Sequence, residues 1–134
     1  MVAEFRLFLP NDTACIIGAV DEQGILTFAV FAKEESPISG TEMFDLMMRA
    51  FGEQVRAVLG VWRPGHQGSP SVNLDKVNDL TNTGTSLEES VRQTWTFTRA
   101  TRWSFSKIIR IDTEGVPGKY TRIDVLLEKA EESQ

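Results

Sequence analysis

The sequence predicts an α+β protein with a mostly antiparallel sheet covered by helices, in the order β-β-β-α-β-α-α-β-β. Strand-like apolar runs cluster in the first and last thirds of the chain and do not alternate regularly with helices. Between them, Ser-x-x-Glu capping boxes at Ser39 and Ser86 mark two helix starts. The 134 residues, 41% hydrophobic and 25% charged, fit one globular domain. We expect that domain to span residues 1–129 and a flexible acidic tail to occupy residues 130–134.

The first third predicts a three-stranded antiparallel meander. Its strands are expected at residues 4–9, 14–20 and 25–31. The first strand ends at Pro10, and residues 21–24 have the composition of a four-residue hairpin loop.

A helix is expected to follow from Ser39 to Gly52. The Ser39 hydroxyl and Glu42 have the spacing of a capping box, and Gly52 is suited to the carboxyl end. One face carries the apolar residues Met43, Phe44, Met47, Met48 and Phe51. This spacing favours packing against a sheet, although a methionine-rich stripe also suits an adaptable binding surface.

The middle of the chain predicts one strand, one loop and two helical segments. Residues 54–62 are strand-like, and residues 63–70 are broken by Gly and Pro. Asn73 is expected to cap a helix that runs to Leu80. The Ser86 capping box opens another helix that runs to Trp95.

Residues 96–103 are ambiguous. Their threonine and aromatic content fits a strand, but their apolar spacing favours a short helix, which we adopt.

The chain closes on a predicted β-hairpin with strands at residues 106–112 and 120–128 and a turn at residues 114–118. The last strand alternates cleanly. Thr121, Ile123, Val125 and Leu127 share one face, and Tyr120, Arg122, Asp124 and Leu126 share the other. This alternation is typical of an antiparallel strand with one wet face.

Charge is distributed unevenly along the chain. Residues 91–122 contain seven basic residues against Asp112 and Glu114, a net charge of +5, whereas the rest of the chain carries −10. The overall charge of −5 argues against a general nucleic-acid coat protein. A local positive field can nevertheless hold a phosphate or an acidic partner.

Several functional classes lack their sequence signatures. There is no dinucleotide-binding loop, phosphate loop or GxSxG elbow, and one cysteine with one histidine cannot build a usual zinc site, so we expect no cofactor and no metal. Cys15 lies in an apolar run and is predicted to pack as a small buried hydrophobe.

The sequence also bears on location. The amino end does not resemble a signal peptide, and no apolar run approaches the ~18 residues needed to cross a bilayer. We therefore expect a cytoplasmic, non-membrane protein as given, with delivery inside a larger secreted protein left open.

The carboxyl-terminal third supplies candidate groups for RNA cleavage without a metal. Such cleavage needs a group that removes the 2′-hydroxyl proton, a group that protonates the leaving oxygen, and a cation for the phosphorane. Candidates for proton transfer are His66, Lys107 and Tyr120. Candidates for phosphate binding are Arg102, Arg110, Arg122 and Thr121, with Arg110 and Arg122 expected as cross-strand neighbours.

Each candidate also has a structural interpretation. His66 fits a solvated loop histidine, and the hairpin cations fit a wet sheet face on which they pair with Asp112, Glu114 and Asp124. The three tryptophans could stack on a base or anchor the core.

Four sequence stretches within residues 39–127 resemble the carboxyl-terminal domains of bacterial polymorphic toxins. They are Thr94-Trp95-Thr96, Ser106-Lys107-Ile108, the stretch from Gly115 to Val125, and the helix–strand unit from Gly40 to Trp62. Phe97 stands where a glycine follows the threonine in those domains. The resemblance implies a small α+β ribonuclease-like fold, nuclease activity and a cognate immunity protein as partner.

Two hypotheses of different class follow. The first is a toxin-like domain that cleaves RNA without a metal. The second is a non-catalytic protein-binding module, immunity-like or accessory, whose acidic surface covers a cationic site on its partner. The expected partners are accordingly RNA or another protein, including an acidic protein held by the basic segment.

Overall fold

The computed structural model describes residues 2–65 and 72–130. These residues form six strands and four α-helices, which confirms the α+β class, and in chain order the first and second, second and third, and fifth and sixth strands pair antiparallel. The chain divides into two compact units, Met1–Ala57 and Val58–Gln134. The described residues do not include His66, the rest of the loop to residue 70, or the tail after Ala130. The single-domain prediction stays a prediction.

The predicted meander forms the first unit. Strands β1 (Ala3–Phe8), β2 (Ala14–Val20) and β3 (Ile25–Ala32) pair antiparallel in sequence order. In the β2–β3 loop, the Asp21 carboxylate accepts hydrogen bonds from the backbone N–H groups of Gln23 (2.8 Å) and Ile25 (3.0 Å). The aspartate thus stabilises the turn by satisfying two backbone donors.

Helix α1 (Gly40–Phe51) packs its apolar stripe against this meander. The Ser39 hydroxyl accepts the Glu42 N–H at 3.1 Å, as the capping box predicts. The five apolar residues of the stripe are buried, which confirms core packing. The helix approaches β2 closely at Gly18, where an added Cβ would lie 2.4 Å from the Met47 sulfur. Glycine at this position lets the helix approach the strand.

Strand alternation decides the environment of Cys15. Ala14, Ile16 and Gly18 are buried on the face of β2 that meets α1, so Cys15 lies on the opposite face and is only half-buried. The prediction of a buried cysteine is therefore wrong. The apolar run in which it lies does not distinguish the two faces.

The second unit contains β4 (Ala57–Trp62), β5 (Lys107–Glu114) and β6 (Arg122–Glu128), with β6 between the other two. Ile123, Val125 and Leu127 of β6 are buried, and the residues between them are half-exposed, as predicted. The predicted alternation is wrong for Tyr120, which is buried, and for Thr121, which is exposed, because the strand begins only at Arg122. Strand β4 begins three residues later than predicted, because residues 52–54 form a 3-10 turn. Its first residue, Ala57, belongs to the first unit.

In the described stretch between β4 and β5 there are three helices, where the predicted order has two: α2 (Val72–Asn82), α3 (Leu87–Arg92) and α4 (Trp95–Thr101). The helix predicted from Ser86 to Trp95 breaks at Thr94, whose hydroxyl caps α4 by accepting the Phe97 N–H at 3.2 Å. The short helix predicted over residues 96–103 is thus confirmed, and it ends at Thr101.

Asn73 does not act as the predicted cap of α2. It lies inside that helix, and its side chain accepts the Thr96 N–H at 3.1 Å and donates to the Thr96 hydroxyl at 2.8 Å. Asn73 therefore satisfies a backbone donor in the first turn of α4. Folding is what brings this turn close to Asn73. Within the described residues, no helix is both long and apolar enough to span a bilayer.

Candidate functional site

Helix α2 holds the loop between β5 and β6 through two side chains. The Asn78 amide accepts the Tyr120 N–H at 2.7 Å and donates to the Tyr120 carbonyl at 3.0 Å. One turn later, the Thr81 hydroxyl accepts the Gly118 N–H at 2.9 Å and donates to the Val77 carbonyl at 2.8 Å. The loop is thus fixed to the helix by three backbone-directed bonds.

Glycine is required in this loop. Gly118 has φ of +84°, a region that L-residues avoid, and a Cβ there would lie 3.0 Å from the Asn82 side-chain oxygen. On the strand side, the Thr121 N–H donates to the Glu114 carbonyl at 2.8 Å. These bonds determine where Thr121 and Arg122 emerge from the loop.

An open cleft of about 490 Å³ lies beside this loop. Its lining residues are Arg63, Pro64, Gly65, Glu114, Thr121 and Arg122. The cleft thus combines two guanidinium groups, one carboxylate and one hydroxyl. This set can hold an anion and accept a proton within one concave surface.

Arg122 lies between two carboxylates. It bonds Asp124 bidentately, with Nε–Oδ1 at 2.9 Å and Nη2–Oδ2 at 3.0 Å. Glu114 lies opposite Arg122 in the strand register. The hydrogen bonds to Asp124, together with the charges of Asp124 and Glu114, raise the pKa of Arg122 and oppose the effect of burial. Arg122 therefore stays protonated, and Asp124 offsets much of its charge.

Arg110 is placed differently from the prediction. It lies opposite Leu126, not Arg122, so the expected cross-strand arginine pair is wrong. Its guanidinium instead pairs with Asp112 at 2.7 Å. Asp112 lies directly opposite Asp124, and like charges in that position repel. Each aspartate has an arginine two residues away on its own strand, which compensates this repulsion.

Among the candidates that the structure describes, Lys107, Tyr120 and Arg102 do not converge on the cleft. Lys107 lies opposite Glu128 at the other end of the hairpin, about 24 Å along β5 from Glu114. Tyr120 is only 7% exposed, which places its side chain in the core and does not favour contact with a dissolved substrate. Of the predicted residues that the structure describes, the cleft brings together Thr121 and Arg122.

Arg102 also lies away from the cleft. It follows α4 as the C-cap residue, and Ser104, two residues later, accepts the Ala130 N–H at 2.9 Å. This bond places the segment after α4 beside the end of β6, at the Lys107 end of the hairpin. The predicted phosphate-binding cations are therefore divided between the two ends of the hairpin.

The tryptophans differ in environment. Trp62 is buried, at 8% exposure, and anchors the core of its unit, whereas Trp95 and Trp103 are half-buried. The Arg99 guanidinium lies 4.7 Å from the centre of the Trp95 ring. Burial, and then the charge of Arg102, lower the pKa of Arg99. The Trp95 side chain is thus already in contact with a cation of the same helix.

Two lining residues were missed as candidates. Arg63 directly follows a strand and precedes Pro-Gly, a position at which loops commonly carry functional side chains. Glu114 was considered only as a partner for solvated cations. Because Glu114 and Arg63 are far apart in the sequence, local spacing contains no signal that joins them.

Within residues 2–65 and 72–130, no group of three or more His, Cys, Asp or Glu side chains is placed to hold a metal ion. Comparisons with protein-family models, curated proteins and solved structures find no match to this chain. The resemblance to polymorphic toxins therefore stays a prediction.

Proposed function

We propose that this chain binds RNA in the cleft beside Arg63 and Arg122 and cleaves it without a metal. The observation that carries the proposal is the convergence of two guanidinium groups, the Glu114 carboxylate and the Thr121 hydroxyl on one concave surface. The resemblance to toxin domains supports the same choice. Arg63 and Glu114 replace Lys107 and Tyr120 as the residues on which the chemistry depends.

In the proposed reaction, the Glu114 carboxylate takes the proton of a ribose 2′-hydroxyl. The 2′-oxygen then bonds to the adjacent phosphorus, and the bond from phosphorus to the 5′-oxygen breaks. The products are a 2′,3′-cyclic phosphate and a 5′-hydroxyl, which receives its proton from an acid. His66 follows Gly65 in the sequence and remains the sequence-based prediction for that acid.

The two arginines act on the phosphate. Arg63 donates two parallel hydrogen bonds to phosphate oxygens, whereas Arg122 keeps its bidentate bond to Asp124 and adds positive charge beside the phosphorane. Thr121 adds a hydroxyl at the same surface, which donates to the Glu114 carbonyl at 3.3 Å, and its backbone bond to the same carbonyl keeps the two residues adjacent. These roles need no further group from the Lys107 end of the hairpin.

The test is cleavage of an end-labelled RNA by the purified chain, with EDTA and separately with added Mg²⁺. Cleavage should occur in both, and a 2′-deoxy substitution at the scissile position should block it. Glu114→Gln should lower the rate about 100-fold or more, and Arg63→Ala should do the same. Arg49→Ala removes an exposed arginine of the first unit and should leave the rate unchanged. Absence of cleavage, or cleavage that both cleft variants retain in full, would refute the proposal.

A second candidate function is a non-catalytic protein-binding module. It is favoured by the charge of the first unit, where four basic and nine acidic residues give −5, while the second unit has ten of each. A surface with this bias suits a basic partner. Capture of one stoichiometric basic protein by the wild-type chain, lost when the acids of residues 34–35 become lysine, would support this function. Growth arrest on expression that requires Glu114 would favour RNA cleavage.

A further inference from the structure

Strand β1 has a regular edge that pairs with no other described strand besides β2. In the described part of the chain, β1 is the outermost strand and is hydrogen-bonded to β2 alone. Its register with β2 runs without a bulge over all six residues. The edge strand β5, in contrast, has an irregularity between Ile108 and Arg110 that disrupts pairing. A regular open edge is a template for strand addition.

The alternation of hydrogen-bonded and non-bonded pairs along β1 and β2 shows which β1 residues direct their backbone groups away from β2. The Leu9 N–H donates to the Ala14 carbonyl at 2.9 Å, and this pair continues the β1–β2 register. Bonded and non-bonded pairs alternate along an antiparallel ladder, so Phe5 and Leu7 also bond β2. The N–H and C=O groups of Glu4 and Arg6 therefore face away from β2.

The side chains of this strand are complementary to a second copy of themselves. In an antiparallel pair with a two-fold axis at Phe5, Glu4 lies opposite Arg6 of the second copy, and Arg6 lies opposite its Glu4. On the same face, Val2 lies near Phe8 of the second copy, but the Val2 N–H turns inward and donates to the Val20 carbonyl at 2.8 Å, so the regular pairing ends at Ala3. These two residues are 61% and 58% exposed in the single chain. The other face pairs Ala3 with Leu7 and Phe5 with Phe5.

The charges also select the register. An axis at Arg6 would place two arginines opposite each other, and an axis at Glu4 would place two glutamates opposite each other. Like charges in directly opposite positions destabilise a strand pair, whereas opposite charges stabilise it. The axis at Phe5 also makes Glu4 and Arg6 a hydrogen-bonded pair, because both direct their backbone groups outward.

We propose that β1 binds β1 of a second copy of this chain, antiparallel and centred on Phe5, to form a symmetric dimer. The interface lies entirely in the first unit and does not depend on the cleft or its chemistry. Glu4 already contacts Arg6 within the chain, so dimer formation exchanges this pair for the two equivalent pairs across the axis.

The test is the mass of the 134-residue chain by sedimentation equilibrium. The wild type should dimerise, and Arg6→Glu and Glu4→Arg should each weaken dimerisation about tenfold or more, because each turns two attractive pairs into repulsive ones. Mixing the two variants should form a heterodimer, in which every charged pair is again opposite in sign. The double variant E4R/R6E should dimerise like the wild type.

Two further variants separate edge pairing from general charge effects. Arg6→Pro removes an outward N–H while leaving the bonds to β2 in place, so it should prevent dimerisation of a folded chain. Arg49→Glu makes the same charge change on α1 and should have no effect. A wild type that stays monomeric at its solubility limit would overturn the proposal. So would single variants that dimerise as well as the wild type, or variants that form no heterodimer when mixed.

Discussion

Replacing Asn78 by alanine removes the side chain that bonds both backbone groups of Tyr120. The two bonds measure 2.7 and 3.0 Å and join α2 to the loop before β6. Tyr120 is 7% exposed, so its N–H and C=O have little access to water after the change. Asn78→Ala therefore tests whether this clamp fixes the loop.

The expected loss follows from the two bonds. Each intramolecular hydrogen bond contributes about 0.5–1.5 kcal/mol net, and a buried backbone group left without a partner costs about 1–3 kcal/mol. Alanine regains roughly 0.5 kcal/mol through its higher helix propensity. We expect Asn78→Ala to lower the free energy of unfolding by about 2–3 kcal/mol, a large part of the stability of a domain this size.

The assay is urea unfolding followed by tryptophan fluorescence. Asp79→Ala is the matched control, because it removes a side chain of the same shape from an exposed site on α2 with a similar gain in helix propensity. It should change stability by less than about 0.5 kcal/mol. A difference between the two variants below about 0.5 kcal/mol would show that the Asn78 bonds do not fix the loop. If they do, Asn78→Ala should also slow RNA cleavage, since Thr121 follows the clamped residue.

Three further predictions concern single residues. Gly118→Ala places a Cβ on a residue with φ of +84°, so unfolding experiments should show a loss of about 1–2 kcal/mol, and equal stability would contradict the strain. Asp124→Asn removes the carboxylate that offsets Arg122, so RNA binding should tighten and its log–log salt slope should steepen by about one; weaker binding would contradict this. Burial, and then the charge of Asp12, raise the pKa of the Cys15 thiol, so iodoacetamide should react with the native chain at a higher pH than with the chain in urea. Because the native state keeps this proton longer, wild-type stability should fall as pH rises above about 8.5, more than in Cys15→Ala.

Local patterns predicted most of the elements. The meander, the Ser39 capping box and the buried stripe of α1 follow from periodicity and turn composition in short windows. The errors occur where a residue has a partner distant in the sequence. Asn73 has the composition of a cap, but Thr96 of another helix supplies its hydrogen bonds. Cys15 lies in a wholly apolar run, and only the position of α1 distinguishes the faces of that strand.

The candidate site was predictable only in part. Arg122 was found because the last strand alternates and the segment around it is basic, and Thr121 was found because it supplies a hydroxyl beside these cations. Their separation from Lys107 depends on hairpin length and register, which place the residues about 24 Å apart along β5. In the sequence, both ends of the hairpin belong to one basic segment. The charge pattern therefore does not show that the cations near Arg122 and those near Lys107 form two separate groups.

The sequence by itself determined the α+β class, the strand alternation and the positive field of residues 91–122, because these depend on neighbours within a few positions. Only the tertiary structure decided that Arg63 and Glu114 line one cleft with Arg122, and that Arg110 bonds Asp112 instead. The reason is physical. A side chain's chemistry depends on the charges and surfaces within a few ångströms of it, and folding brings most of these from distant parts of the chain.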